Sequence, residues 1–314
     1  MLRNAALKRG AKLAAQALIS AALIALVVRA FDVKGLGARL LAVDPAALAA
    51  GLALALAVAL PHTGRWLVVI RADGHRLRFT QALRIVLVGY FFNQTLPSSV
   101  GGDVMRVYFG YRAGLGLDTA AASVIVDRLM TLVALLLAAT AALPWIFQVV
   151  SDPLAHFGIA LVILGGWAGY ALLLVSDRLP QSWLRWRVIR ALARVAGLAR
   201  GLLLTPRAAA AAIGLSLLGF LLAGVIVYLC FRALQVQVPL LYCIVLLMPV
   251  MLVTSLPISV AGWGVREGAM VVAFGYVNVP AESAFAMSVL FGLTMLMSGI
   301  PGSILWWWSA DRKR

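Results

Sequence analysis

Six apolar runs, at residues 13–28, 46–70, 120–147, 157–175, 208–231 and 284–308, limit what this chain can fold into. A bilayer's hydrocarbon core takes roughly 20 helical residues to cross. The last five runs approach or exceed that length. The first covers roughly 24 Å, so flanking Lys12 or Arg29 must snorkel to the interface. Backbone polar groups in lipid must be satisfied within the segment, which makes each run a helix. Composition removes the alternatives. Of 314 residues, 63% are hydrophobic and 12% charged, whereas soluble domains carry about twice that charge. Soluble, disordered and secreted disulfide-rich classes are excluded together. Cys230 and Cys243 lack CxxC spacing, the three histidines are scattered without metal-ligand spacing, and no cofactor is expected.

The chain therefore reads as one transmembrane domain, residues 1–314, of the all-α class: a polytopic helical bundle. The basic start MLRNAALKRGAK precedes a run closed by Arg29 with no small-residue cleavage site, so 13–28 is a retained span rather than a signal peptide. Pro61 and Gly64 predict a kink in the second span. The net charge of +16 is first a topology signal, because Lys and Arg collect in cytoplasmic loops. Arg3, Lys8, Arg9 and Lys12 then lie inside, with Arg71, Arg76, Arg78 and Arg84. So do Arg178, Arg185, Arg187, Arg190, Arg194, Arg200 and Arg207, and the tail Arg312-Lys313-Arg314. Six spans with both termini cytoplasmic fit. No basic groove interleaved with aromatics points to nucleic acid.

The segment 183–204, from Trp183 to Leu204, mixes arginines with Trp, Val, Ile and Leu. It suits either a helix on the inner leaflet or a positive-inside connection packed on the bundle, and the second reading is put slightly ahead. Trp306-Trp307-Trp308 reads as an interfacial aromatic anchor.

Two further apolar stretches, 85–96 and 240–256, end in prolines and glycines and are followed by short apolar segments 104–111 and 265–277. They predict two re-entrant or broken-helix hairpins. Their turns carry related strings, NQTLPSSVGGDVMR and TSLPISVAGWGVRE. Leu96, Pro97, Ser99, Val100, Gly102 and Arg106 match Leu256, Pro257, Ser259, Val260, Gly262 and Arg266, each 160 positions on. Three spans separate the copies, so they enter from opposite faces. That is the pattern of an inverted repeat, with candidate halves 45–150 and 205–308, whose broken helices form a transport site near mid-membrane.

The residue types suit an anion. Pro97 and Pro257 end helical segments. Gly101, Gly102 and Gly262 permit turns whose N–H groups face a ligand. Arg106 and Arg266 add forked donors for phosphate or carboxylate, at about 3 kcal/mol each in lipid. Such charges need a partner or a purpose: Asp103 stands three residues before Arg106, Glu267 adjoins Arg266, and Asp127 adjoins Arg128 at the start of the third span. Internal ion pairs that merely cement a bundle are the competing account of each. Asn93, Ser98 and Ser99 could bind a headgroup, and helix capping accounts for the two serines almost as well. His62 is read as a satisfied core histidine ahead of a proton relay.

At these residues the sequence resembles the transmembrane domain of lysylphosphatidylglycerol synthases and its small flippase-like relatives. NQTLPSSVGGDVMR, Asp127-Arg128 and LPISVAGWGVRE carry the resemblance, over roughly residues 8–308. It implies a prokaryotic cytoplasmic (inner) membrane protein that moves or presents lipids. It attaches function to Asn93, Pro97, Gly101, Gly102, Asp103, Arg106, Asp127, Arg128, Pro257, Gly262, Arg266 and Glu267; Ser99 and Ser259 join them from the motif itself. The synthases carry a soluble aminoacyl-transferase domain, whereas this sequence stops six residues beyond its last span, so synthase activity is not carried over.

The leading expectation is a flippase or transporter of an anionic lipid or lipid-linked intermediate, not an enzyme, with the two motifs as headgroup site. No GxxxxGK[ST] loop is present to couple a nucleotide. The alternative is a non-transporting scaffold for a cytosolic lipid-modifying or glycosyl-transferring enzyme, docked through 183–204. A membrane enzyme using Asp103, Asp127 or Glu267 as acid or base ranks third.

Overall fold

A computed structural model describes residues 43–95, 101–175, 187–255 and 264–311. The expected first span lies outside them. Twelve helical segments follow in order, with no strand among the described residues. They are α1 (Pro45–Ala57), α2 (Ala59–Ala72), α3 (Phe79–Thr95), α4 (Gly101–Arg112), α5 (Leu117–Val149), α6 (Pro153–Val175), α7 (Arg187–Leu204), α8 (Pro206–Ala233), α9 (Leu240–Ser255), α10 (Val265–Gly275), α11 (Ala281–Ser298) and α12 (Ile300–Asp311).

Among the described residues, five helices are long and apolar enough to cross a membrane: Pro45–Ala72, Leu117–Val149, Pro153–Val175, Pro206–Ala233 and Ala281–Trp308. They coincide with the last five apolar runs. Local chemistry sets their starts. Pro45, Pro153 and Pro206 each open a helix where a missing N–H costs nothing. The Asp44 and Asp152 carboxylates accept the N–H groups of Ala46 and Leu154, both at 2.9 Å.

The span Pro45–Ala72 is interrupted at Val58, between α1 and α2. The cause is Pro61, whose ring clashes with the carbonyl four residues back and lacks the N–H to bond it. Pro301 acts in the same way: α11 ends at Ser298, and α12 resumes after Gly299.

At the centre, α8 packs against α1, α2, α5, α9 and α11. The largest buried apolar cluster joins α1, α8, α9 and α11 to α10, with Phe231 edge-on to Phe274 at 4.8 Å between ring centres. Helix α3 lies between α4 and α12. The approach depends on missing side chains. A Cβ on Gly102 would overlap the Gly89 carbonyl oxygen and sit 2.6 Å from Asn93 Cγ, and one on Gly302 would overlap the Leu87 carbonyl. Because residue 89 faces 102 and 106, α3 and α4 run antiparallel. At 12 and 11 residues, α4 and α10 are about 17 Å long, too short to cross.

Helix α7 packs on the bundle rather than standing apart. Val195, Ala196, Ala199 and Leu202 are buried, against α5, α6 and α8. Arg194 donates to Thr119 Oγ1 at 3.0 Å and lies 3.6 Å from Asp73 and 3.9 Å from Asp118. Those contacts bring α7, the α2–α3 connection and the start of α5 to one end of the molecule. Trp183 and Trp186 lie outside the described residues. At the other end of the chain, Trp306 stacks on Phe91 and meets Phe92 edge-on, while Trp307 and Trp308 remain exposed.

Candidate functional site

Arg65 lies on α2, inside an apolar span, and is almost fully buried. Its Nε and Nη2 donate to Asp127 Oδ1 and Oδ2 at 2.7 and 3.2 Å, and Nη1 donates to Ser216 Oγ at 3.2 Å. Asp127, on α5, is 0% exposed. It also accepts from Arg106 Nη2 at 2.8 Å, so one carboxylate holds α2, α4 and α5 together. Asp103, one turn before Arg106, lies 3.5 Å from its Nη1. It takes a forked pair from Arg128, with Nε and Nη2 at 2.9 and 3.0 Å.

The pairing is crossed with respect to sequence. Asp127 and Arg128 are neighbours in the chain but point to different partners, because successive helical residues do not share a face. Asp127 turns inward to Arg65 and Arg106, while Arg128 reaches out to Asp103 with its side chain 50% exposed. The cluster is therefore closed at Asp127 and open at Arg128.

Among the described residues its charges do not balance: three guanidiniums face two carboxylates, an excess of one positive charge. Arg106 also lies with its guanidinium carbon 4.7 Å above the Trp66 ring, a favourable contact for a desolvated cation. Its Nε is buried, and among the described residues it has no hydrogen-bond partner. An unsatisfied buried donor costs free energy that an incoming acceptor would recover.

Helix α4 owes its start to Asn93, whose Oδ1 accepts the Gly102 N–H at 2.9 Å. Asn93 thus caps from a neighbouring helix. Gly102 is fixed by close packing, and Gly101 is buried beside it. His62 is hydrogen-bonded through Nδ1 to the Tyr90 hydroxyl, the satisfied core arrangement.

The second motif is built differently. Arg266 donates through Nε and Nη2 to Glu267 Oε1 at 3.0 and 2.6 Å. Glu267 also accepts from Ser288 Oγ at 3.3 Å and, through Oε2, from the Gly264 N–H at 2.5 Å. Gly264 has φ +86°, a conformation that requires glycine. Among the described residues Arg266 is paired with Glu267, which also closes the first turn of α10. Pro97, Ser99, Pro257, Ser259 and Gly262 lie outside the described residues.

The structure brings Asp103, Arg106, Asp127 and Arg128 into one cluster with Arg65 and Ser216, while Arg266 and Glu267 pair with each other on α10. Arg65 carried a signal: an arginine inside an apolar run is costly and rarely without a role. Ser216 carried none, since a serine in a membrane helix commonly bonds its own backbone, as this one also does to Ala212.

Fold and site together define a multi-pass, all-helical membrane protein with a buried arginine–carboxylate cluster. More particularly, the chain belongs to the family described as the lysylphosphatidylglycerol synthase TM region, whose model matches residues 13–302. No curated protein is similar enough to the chain to match it.

Proposed function

We propose that this protein moves an anionic lipid, or a lipid-linked intermediate, between leaflets, and that the Arg65–Asp127–Arg106–Asp103–Arg128 cluster receives its headgroup. The observation that carries the reading is the uncompensated charge of the cluster together with the unpartnered Nε of Arg106. A phosphate oxygen would satisfy both. Arg128, half exposed at the rim, can exchange Asp103 for the arriving anion. The reading is one of transport rather than catalysis.

Element order supports treating 45–150 and 205–308 as repeat halves. Each has a 28-residue helix, two short helices in contact, then another long helical stretch. Three membrane-length helices, α5, α6 and α8, separate the α3–α4 pair from the α9–α10 pair, which suits hairpins entering from opposite faces. The arginines of α7 and of the α2–α3 connection share one end, which suits a cytoplasmic face in a prokaryotic inner membrane. The second motif, internally neutralised, then acts as a structural counterpart and not as an equal headgroup contact.

The test is reconstitution of the full chain into liposomes with a fluorescent phosphatidylglycerol, followed by external quenching. Quenching of the inner-leaflet pool in the wild type, lost in Arg106→Ala, supports the proposal. A wild type that matches protein-free liposomes removes it. The scaffold reading would then lead, favoured by the outward Arg190 and Leu192 of α7.

A further inference from the structure

A cavity of about 450 Å³ opens where the start of α3, the end of α4 and the end of α12 meet. Gln81, Arg84, Val88, Phe109, Arg112 and Trp308 are among its lining residues, and none of the lining residues is acidic. Its volume falls within the range of small-molecule sites, roughly 300–1,000 Å³. It is distinct from the buried cluster: Arg106 points inward from α4 to Asp127, and Arg112 stands at the helix end six residues on.

Two arginines from different helices converge on this cavity. Arg112 lies 3.4 Å from the Tyr108 hydroxyl through Nη1, and no carboxylate pairs with Arg84 or Arg112 among the described residues. Forked donors of this kind match phosphate geometry. The floor is of opposite character, because Ile85, Val88, Phe109 and Leu305 are apolar. Trp308 stands at the rim, 66% exposed, as indoles do at headgroup depth. A ligand that satisfies both parts is amphipathic, with a phosphate against the arginines and a chain along the apolar wall.

We infer that this groove is a binding site for an anionic glycerophospholipid drawn from the adjoining leaflet. Each basic residue near a membrane surface favours anionic over neutral lipid by roughly fivefold, so the pair gives a preference of about 25-fold. The site does not depend on transport, since a chain that moves no lipid would still bind here.

The experiment uses the full chain in phosphatidylcholine nanodiscs doped with a diazirine-labelled phosphatidylglycerol or, separately, a diazirine-labelled phosphatidylcholine. Adducts are mapped by peptide mass spectrometry. We expect phosphatidylglycerol adducts on 305–308 and 81–88 to exceed phosphatidylcholine adducts many-fold. They should collapse in the Arg84→Gln/Arg112→Gln double variant, return in Arg84→Lys/Arg112→Lys, and persist in Arg106→Ala. Helicity by circular dichroism checks the fold, and if the glutamine variant misfolds, the wild-type comparison of the two lipids decides. Equal labelling by both lipids would mean ordinary bilayer contact and overturn the inference. Loss of the adducts on adding inorganic phosphate would overturn the lipid assignment in favour of a soluble phosphate.

Discussion

Arg65 and Asp127, 62 positions apart, form a two-pronged pair at 2.7 and 3.2 Å in the middle of the bundle. The same carboxylate holds Arg106, so its loss leaves two buried guanidiniums without their shared anion. Removing one partner of a buried pair costs about 3–5 kcal/mol, because the other charge remains uncompensated. Asp127→Ala is therefore expected to lower thermal stability in detergent sharply. Asp103→Ala, whose carboxylate is less buried, should cost less. Fluorescence-detected gel filtration after heating ranks the two, and equal losses would contradict the inward closure of the cluster.

Arg106 separates charge from shape. Lysine keeps the positive charge but cannot place one donor on Asp127 and another toward an incoming anion. A hydrogen bond to a charged group contributes about 1.5–3 kcal/mol, so Arg106→Lys should slow lipid movement roughly tenfold or more in liposomes. Arg266→Lys, in a pair already neutralised by Glu267, should leave the rate within a few-fold of wild type. Comparable losses in both variants would make the two motifs equal contacts after all.

Much of this arrangement was legible in the chain. Long apolar runs specify spans because lipid offers the backbone no other partner. Asp44-Pro45 and Asp152-Pro153 mark helix starts by chemistry that any sequence displays, and Pro61 marks a break. Arg65 stands out in its apolar run as a costly charge, but its partner appears only when Asp127 arrives from α5. The crossing of Asp127 and Arg128 depends on which helix face meets α2, which periodicity does not give in a helix apolar on most sides. The groove at Arg84, Arg112 and Trp308 joins segments more than 190 positions apart, beyond any local pattern.

Gly102, at the α3–α4 contact, should be far less tolerant than Gly165 and Gly169 of α6. Gly102→Ala places a methyl group against the Gly89 carbonyl and Asn93, and overpacking of this kind costs about 1–3 kcal/mol. Gly165→Ala and Gly169→Ala meet no atom within 4 Å, and alanine is favoured over glycine inside a helix by about 1 kcal/mol. Those two should match or exceed wild-type stability in the same heating assay. Destabilisation by Gly165→Ala would instead place that face of α6 in a contact with a second molecule.

The repeat makes a prediction about sidedness that no stability measurement reaches. Three membrane-length helices lie between the α3–α4 and α9–α10 pairs, so their connecting turns should open to opposite faces. Ser98→Cys and Ser259→Cys, in a background where buried Cys230 and Cys243 are replaced, report this directly. A membrane-impermeant maleimide added outside intact cells should label one position and spare the other until the cells are opened. Labelling of both from the same face would mean that one hairpin is a full crossing or that a helix between them stays on the surface. Either result would dissolve the inverted relation, while the buried cluster, which rests on contacts among α2, α4, α5 and α8, would stand.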